Sequence, residues 1–188
     1  MARVVGSTDI HRGWMSLRRV EVETDAGARI VREVEDHGHA VAVLPFDPER
    51  RTVLLVRQLR MGPLVGGAAE PRLLEAPAGL IDADETAQDA ARREALEEVG
   101  ARLGDLIDLG VAYSCPGVST ETIALFLAPC SAADRITAGG GLAEEHEEIE
   151  VVQLSLADLA DAVDGGRMND MKTQILALRL RALRPDLF

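Results

Sequence analysis

Hydrophobic and polar positions in the first part of the chain alternate in short blocks that predict strands. Two such blocks flank Asp25-Ala26-Gly27, and this predicts a hairpin within a small β unit over the first forty residues. The stretch 39–46 is almost wholly apolar and predicts a buried strand, with a second strand at 52–60. A shorter strand is predicted at 72–79, where it runs into a proline and glycine break.

The second half of the chain predicts more strands and then two helices. Strand-like segments lie at 106–114, 122–129 and 148–155, with an acidic, glycine-rich loop at about 138–148. Ser155 opens a capping-box pattern before an apolar-periodic run, and a last helix is predicted at about 170–183. This order predicts an α+β domain in which helices flank a mixed sheet, a layered α/β/α arrangement.

One acidic helix lies between these two halves. Thr86 and Asp89 form a capping box, and Gly100 stands where a helix-ending glycine belongs, so the helix should run from about Thr86 to Val99. At 100° per residue, Glu94, Glu97 and Glu98 fall within an arc of about 100°. Small alanine residues share this face, which would let another group approach closely.

The spacing of these glutamates has two interpretations. Carboxylates four residues apart on a helix repel each other, as Glu94 and Glu98 should. The common interpretation is a solvated acidic face, which usually alternates in sign, as Arg93 and Glu97 do. The other is a site for a hard divalent cation, which takes oxygen ligands together with substrate phosphates and water. Spacing alone leaves both open.

Charge and composition restrict the partners. The 188 residues include 20 basic and 32 acidic side chains, which argues against a nucleic-acid partner because a phosphate backbone needs a basic face. An acidic protein that handles phosphates would need cations between itself and its substrate.

We expect no membrane partner and a cytoplasmic location, since no apolar run reaches the roughly 20 residues of a membrane span and no signal-peptide pattern is seen. Cys115 and Cys130 are expected to be reduced thiols.

The stretch from Gly79 to Ala101 resembles the signature of Nudix hydrolases. It matches G-x5-E-x7-R-E-U-x-E-E-x-G-U at all seven fixed positions, which are Gly79, Glu85, Arg93, Glu94, Glu97, Glu98 and Gly100. The apolar U positions are alanines, smaller than usual, and this removes no ligand. The resemblance implies an α/β/α sandwich in which the motif forms a loop, a helix and a loop. It also implies that the glutamates hold Mg²⁺ or Mn²⁺ against a diphosphate, with two or three ions when substrate is bound.

Further stretches resemble the branch of this family that hydrolyses nucleoside-diphosphate sugars. REVEDHGHAVAVLPFDP (32–48), LLEAPAGLID (73–82) and YSCPGVSTE (113–121) look like ADP-ribose diphosphatases. AGGG (138–141) and DMKT (170–173) look instead like the related GDP-mannose pyrophosphatases. The resemblance implies a homodimer in which an N-terminal β subdomain, residues 1–38, swaps across to its partner, with the Nudix domain at 39–188.

The resemblance also implies roles for individual residues. Metal ligands would be the carbonyl of Ala78 and the carboxylates of Glu94, Glu98 and Glu147, and Glu145 would be the catalytic base. His146 could compete as the base. The resemblance leaves open whether Glu97 acts on the metal through water or only pairs with Arg93.

Other matched residues are expected around the substrate. Glu85 is expected to orient Arg93, a catalytic residue of the motif. Arg32, Arg60 and Glu121 match positions near the substrate, although either arginine could simply end a strand in solvent. Trp14 and Tyr113 are expected to be packing anchors rather than stacking platforms.

The sequence therefore predicts a Mg²⁺-dependent hydrolase of nucleoside-diphosphate sugars. The substrate it favours is ADP-ribose, which would yield AMP and ribose 5-phosphate. GDP-mannose is the alternative, and a diphosphatase of broad specificity is a third possibility. From a different class, the chain could be a Nudix-fold module that binds a nucleotide without cleaving it.

Overall fold

A computed structural model describes residues 1–142 and 148–188 of the chain. The chain falls into two compact units. Unit 1 contains residues 1–40 and 111–123, and unit 2 contains residues 41–110 and 124–188. The sequence-based division into a swapped subdomain at 1–38 and a hydrolase domain at 39–188 stays a prediction.

Unit 1 contains a three-stranded antiparallel sheet. Its strands are β1 (Arg3–Arg12), β2 (Ser16–Glu23) and β3 (Arg29–Asp36), with β2 in the centre. The predicted hairpin is confirmed, because β2 and β3 pair from Ser16 opposite Asp36 to Glu23 opposite Arg29. Gly27 takes a φ of 75° in the turn between them, a conformation that glycine adopts without strain.

The expectation for the aromatic residues of unit 1 is wrong. Trp14 and Tyr113 are not packing anchors within the chain, since they are 78% and 62% exposed. Trp14 instead stacks on His37, with ring centroids 5.2 Å apart and ring planes 18° from parallel. Both residues carry aromatic surface that a partner molecule could cover.

A larger sheet has seven strands in the described parts of the chain. The strands are β4 (Ala40–Asp47), β5 (Thr52–Leu59), β6 (Arg72–Glu75), β7 (Ala78–Leu80), β8 (Ile107–Tyr113), β9 (Thr122–Pro129) and β10 (Glu150–Ser155). The main path of the sheet runs in the order β10-β5-β4-β9-β8, with β6 paired to β5 and β7 paired to β4. The strands predicted at 39–46 and 52–60 correspond to β4 and β5.

Four α-helices accompany this sheet among the described residues. They are α1 (Met61–Val65), α2 (Ala87–Val99), α3 (Leu156–Asp164) and α4 (Met171–Leu183). Short 3-10 turns lie at 132–134 and 185–187. Among the described residues, none of these helices combines the length and the hydropathy that a membrane-spanning helix requires.

The acidic helix α2 packs on the sheet through its alanines. Ala90, Ala91 and Ala95 are fully buried and share a hydrophobic cluster with Val41 and Val43 of β4. Side chains alternate between faces along a strand, so the other buried residues of β4, such as Leu44 and Phe46, point to the opposite face. Together with α3 and α4, these layers confirm the predicted α+β fold, a mixed sheet with helices and a separate N-terminal sheet.

Both predicted ends of α2 are confirmed. The hydroxyl of Thr86 accepts a hydrogen bond from the backbone N–H of Asp89 at 3.1 Å, which caps the first turn. Gly100 follows the last turn in the left-handed conformation, with a φ of 72°. These two signals fix where α2 begins and ends, and so which turns of the helix carry the glutamates.

Candidate active site

Glu94 and Glu98 lie on the buried side of α2, against the strand β7. Their residues are only 9% and 2% exposed, so the interpretation of a solvated acidic face does not apply to them. The backbone N–H of Ala78 donates a hydrogen bond to Glu98 Oε2 at 3.1 Å. The predicted ligand residues Ala78 and Glu98 are therefore neighbours in the structure.

Gly79 makes room for the other carboxylate. A Cβ atom at this residue would overlap the carboxylate of Glu94, so any side chain here would displace it. The motif glycine therefore allows the carboxylate of Glu94 to lie directly against the backbone of β7. Within the described residues this is the physical reason for a glycine at position 79.

Arg93 is held by three glutamates. Its Nε and Nη2 donate to the two carboxylate oxygens of Glu85 at 3.0 and 2.9 Å. Its Nη1 lies 2.6 Å from Glu94 Oε1 and 3.3 Å from Glu97 Oε2. Nη2 also donates to the carbonyl of Leu80 at 2.9 Å. The guanidinium thus ties α2 to the loop before it and fixes two carboxylates of the helix.

These contacts shift the pKa values of Glu85 and Arg93 in opposite directions. The hydrogen bond from Arg93, more than its charge, lowers the pKa of Glu85. The same hydrogen bond raises the pKa of Arg93 despite the desolvation that opposes it. Both groups are therefore charged at neutral pH, and this geometry supports the prediction that Glu85 orients Arg93.

Four carboxylates, those of Glu85 just before the helix and of Glu94, Glu97 and Glu98 on it, are called the α2 carboxylates. Among the described residues the guanidinium of Arg93 contacts three of them, and the charge of Arg60 interacts with Glu98. Buried negative charge of this kind is unfavourable unless a cation compensates it. Within residues 1–142 and 148–188, no group of three or more Asp, Glu, His or Cys side chains is arranged to hold a metal ion. A cation at Glu94 and Glu98 would therefore need further oxygen ligands. A backbone carbonyl, water and substrate phosphates are the usual ones for Mg²⁺.

The glycine run 138–141 closes the C-terminal end of α2. Gly140 and Gly141 donate their backbone N–H groups to the carbonyls of Glu98 and Glu97, at 2.8 and 3.1 Å. Gly139 lies so close that a Cβ atom would be 2.5 Å from the carbonyl oxygen of Glu98. The run that resembles GDP-mannose pyrophosphatases therefore has a structural role at the helix carrying the glutamates.

Two of the predicted site residues cannot be placed. Glu145, the predicted base, and Glu147, a predicted metal ligand, lie outside the described residues, as does the competing His146. Their roles stay predictions.

Arg60 lies in a second charged cluster that the sequence did not predict. Its Nε and Nη2 donate to the carboxylate of Glu75 at 2.7 and 2.8 Å. The Nζ of Lys172 contacts the same carboxylate and lies 2.9 Å from Oδ1 of Asp170. We call these four residues the α4 network. The sequence signal was Lys172, the only lysine in the chain, but nothing in the pattern assigned it Glu75 as partner.

The charges of the α4 network affect each other strongly. Burial alone would raise the pKa of Glu75, but the hydrogen bond from Arg60 and the charge of Lys172 outweigh burial and lower it. Burial likewise opposes the charge of Arg60, and the bond to Glu75 raises its pKa. Arg60 therefore uses two of its three nitrogens on Glu75, and its predicted role toward substrate stays a prediction.

The remaining predicted residues lie in unit 1. Arg32 is exposed on β3, where its Nη1 donates to the carbonyl of Val31 at 2.8 Å. Glu121 lies 3.3 Å from Nε2 of His37, the ring on which Trp14 stacks. These two predicted substrate contacts also stay predictions.

Comparison with known proteins decides the family. Residues 36–172 match the NUDIX domain, which is well over half of the chain. The chain belongs to the Nudix family. The prediction of a Nudix hydrolase that acts on phosphoanhydride bonds is thereby confirmed.

Several curated Nudix relatives are similar over most of their length. The chain is 39% identical over 150 residues to a GDP-mannose pyrophosphatase of Cronobacter sakazakii, covering 80% of this chain and 77% of the relative. It is 36% identical over 177 residues to a GDP-mannose pyrophosphatase of Klebsiella pneumoniae, covering 92% and 88%. The crystal structure of an ADP compounds hydrolase superposes with a TM-score of 0.79, covering 98% of this chain and 95% of the other. At 22% identity this match supports the fold alone.

Proposed function

We propose that this Nudix hydrolase cleaves the diphosphate bridge of GDP-mannose, giving GMP and mannose 1-phosphate. The observation that carries the proposal is the similarity to GDP-mannose pyrophosphatases at 36–39% identity over 77–92% of the chain. These comparisons support the alternative better than the ADP-ribose substrate that the sequence favoured. The structure adds a role for the AGGG run, one of the two features that pointed to GDP-mannose.

The α2 carboxylates supply the chemistry that this reaction needs. Glu94 and Glu98, with the carbonyl of Ala78, would hold Mg²⁺, which neutralises charge on a diphosphate and lowers the pKa of bound water. Arg93 fixes the carboxylates of Glu94 and Glu97 through its Nη1. Water then adds to one phosphorus, the bridging P–O bond breaks, and a carboxylate takes the proton. Glu145 is the proposed acceptor of that proton.

A direct test compares the products from two substrates. Purified protein in Mg²⁺ is incubated with GDP-mannose and with ADP-ribose at equal concentration, and GMP and AMP are separated by chromatography. Faster GMP release supports the proposal, and Glu98→Gln protein prepared in the same way excludes a contaminating hydrolase. Faster AMP release would restore ADP-ribose as the substrate. Tight binding of either sugar by calorimetry without any product would favour the module that binds a nucleotide without cleaving it.

We also propose that the chain forms a homodimer through unit 1, as the family resemblance implies. Support comes from the large apolar side chains that unit 1 exposes within the chain, which are Val4, Ile10, Trp14, Val31, Val111, Tyr113 and Val118. Light scattering coupled to size-exclusion chromatography measures the mass directly. A mass of twice 20.2 kDa is expected for the wild type. A mass of 20.2 kDa would contradict the dimer.

A further inference from the structure

The segment from Glu75 to Ala78 connects the α4 network with the predicted metal ligands. It leaves β6 at Glu75, passes Pro77 and enters β7 at Ala78. The backbone N–H of Ala78 donates to Glu98, at the candidate cation site. Whatever fixes the position of this segment therefore also fixes one hydrogen bond to the carboxylate of Glu98.

The first turn of α4 holds the start of this segment at two points. Lys172 contacts the carboxylate of Glu75, a residue that is 1% exposed. Thr173 is completely buried, and its hydroxyl oxygen accepts a hydrogen bond from the backbone N–H of Ala76 at 2.7 Å. Two consecutive residues of α4, Lys172 and Thr173, thus contact two consecutive residues of the segment, Glu75 and Ala76.

Asp170 fixes both residues of α4 in turn. As the N-cap of the helix, it accepts hydrogen bonds from the backbone N–H and the hydroxyl of Thr173, at 2.9 and 2.5 Å. Its other carboxylate oxygen lies 2.9 Å from Nζ of Lys172. On the sheet side, Val43 of β4 donates its backbone N–H to the carbonyl of Pro77 at 2.9 Å. Each residue of the segment from 75 to 78 is therefore held by at least one hydrogen bond.

We infer that Lys172 and Thr173 are positioning residues for the cation site, acting on Glu98 through the segment from Glu75 to Ala78. The inference rests on the proposed function, in which Glu94 and Glu98 hold a divalent cation. Partners of metal ligands are commonly worth about 10- to 100-fold in metal affinity, because they orient the ligand before the metal binds. Here the oriented group is the carboxylate of Glu98, and its orienting donor is the N–H of Ala78.

A contact between Lys172 and the substrate is the competing explanation for any effect of this residue. The two explanations predict different measurements. A positioning residue changes affinity for the metal alone, without substrate. A substrate contact leaves metal affinity unchanged and raises KM for the nucleotide sugar.

The experiment measures Mn²⁺ binding by electron paramagnetic resonance without substrate, and then kcat and KM for GDP-mannose. The variants are Lys172→Met and Thr173→Val, which remove the two contacts. Thr173→Ser keeps the hydroxyl. Arg181→Met is the matched control, because it removes a cation of the same helix that pairs with the exposed Asp164, away from the segment.

We expect Lys172→Met and Thr173→Val to weaken Mn²⁺ binding by about 10- to 100-fold. Thr173→Ser and Arg181→Met should bind Mn²⁺ like the wild type. In a Glu98→Gln background, Thr173→Val should cause no further loss, because its effect passes through that carboxylate. Lys172→Met removes one partner of a buried charge and could unfold the protein. In that case the comparison of Thr173→Val with Thr173→Ser decides the test.

Unchanged Mn²⁺ affinity in Thr173→Val, or a loss that is fully additive with Glu98→Gln, would overturn the inference. A raised KM with unchanged Mn²⁺ affinity in Lys172→Met would assign that residue to the substrate instead. If the wild type binds Mn²⁺ and Lys172→Met and Thr173→Val bind it more weakly, but neither nucleotide sugar is cleaved, the proposed substrate is wrong and the positioning role stands. Absence of Mn²⁺ binding by the wild type would overturn the inference.

Discussion

Two charged clusters of unit 2 differ in how their charges balance. The α4 network pairs two cations, Arg60 and Lys172, with two carboxylates, Glu75 and Asp170. The α2 carboxylates are four. Among the described residues the guanidinium of Arg93 contacts three of them, and the charge of Arg60 also interacts with that of Glu98. The first cluster is electrically neutral, and the second carries excess negative charge on a face that includes the buried carboxylates of α2.

This difference separates a cluster that holds the fold in place from one with the ligands of a cation site. A balanced cluster satisfies its own charges and needs nothing from outside the chain. Glu94 and Glu98 are buried carboxylates one helical turn apart, which repel each other, and a divalent cation would compensate that repulsion. Removing a carboxylate of the α4 network should therefore mainly lower stability, and removing one of the α2 carboxylates should mainly lower activity.

The largest expected effect on stability is that of Glu75→Gln. It leaves Lys172 and Arg60 without their shared anion in a buried site, and breaking a buried ion pair typically costs about 3–5 kcal/mol. Urea denaturation at pH 7 measures the free energy of unfolding. The matched control is Asp164→Asn, which removes an exposed carboxylate paired with Arg181 and should change little. Equal losses of unfolding free energy in both variants would show that the buried α4 network contributes no more to stability than an exposed ion pair.

Glu98→Gln should have the largest effect on activity. We expect kcat for GDP-mannose to fall by more than about 100-fold, because removing a ligand should exceed the effect of removing its partners. The amide oxygen can still accept the hydrogen bond from Ala78, so the loss of stability should be smaller than in Glu75→Gln. Rates within about threefold of the wild type would mean that the cation site lies elsewhere.

Gly139→Ala tests the link between the glycine run and α2. The residue has a φ of 70°, and the added Cβ would meet the carbonyl oxygen of Glu98 at 2.5 Å. We expect a loss of about 1–3 kcal/mol in unfolding free energy from the strained backbone, and lower activity. Gly104→Ala is the control, since its added Cβ would have no atom within 4 Å outside its chain neighbours. Equal stability of the two variants would remove the structural role proposed for AGGG.

Gly79→Ala should have a smaller effect, and on activity more than on stability. The three atoms nearest to the new Cβ all belong to the end of the Glu94 side chain, which can move away at little cost to folding. The displaced carboxylate would lose its position at the cation site. We expect about a tenfold loss in kcat and in Mg²⁺ affinity, on the lower side of what misplaced ligands cost. Steady-state kinetics at varied Mg²⁺ gives both numbers, and a stability loss without an activity loss would contradict this account.

The smallest expected effect is on the acid stability of the fold. The pKa values of Glu75 and Glu85 lie below the ordinary value of 4.5 in the folded state. Their contribution to stability is therefore complete above pH 4.5 and is lost as the pH falls through the lowered values. Between about pH 5 and pH 3, the wild type should lose more unfolding free energy than Glu85→Gln does. A steeper loss of unfolding free energy in Glu85→Gln than in the wild type would contradict the lowered pKa of Glu85.

The sequence predicted the α2 region well because its signals are local. Thr86 and Gly100 mark the helix ends, and the motif spacing fixes which glutamates share a face. The short helix α1, by contrast, begins Met61-Gly62-Pro63 and is too short to show a helical period. None of its residues is buried, so no apolar face marks it in the sequence either.

The α4 network was missed because its partners are distant in sequence. Glu75 and Lys172 are separated by 97 positions, and no local pattern reports such a pair. The error for Trp14 has a similar cause. Tryptophan is highly buried on average, but Trp14 lies in the short connection between β1 and β2, where no local pattern predicts which side chains stay exposed.

The central claim is that the excess carboxylates of α2 hold a divalent cation. Calorimetric titration of Mg²⁺ into the wild type and into Glu98→Gln, without substrate, tests it most directly. We predict saturable binding by the wild type and an affinity at least about tenfold weaker in the variant. Equal binding by both proteins, or none by the wild type, would contradict it.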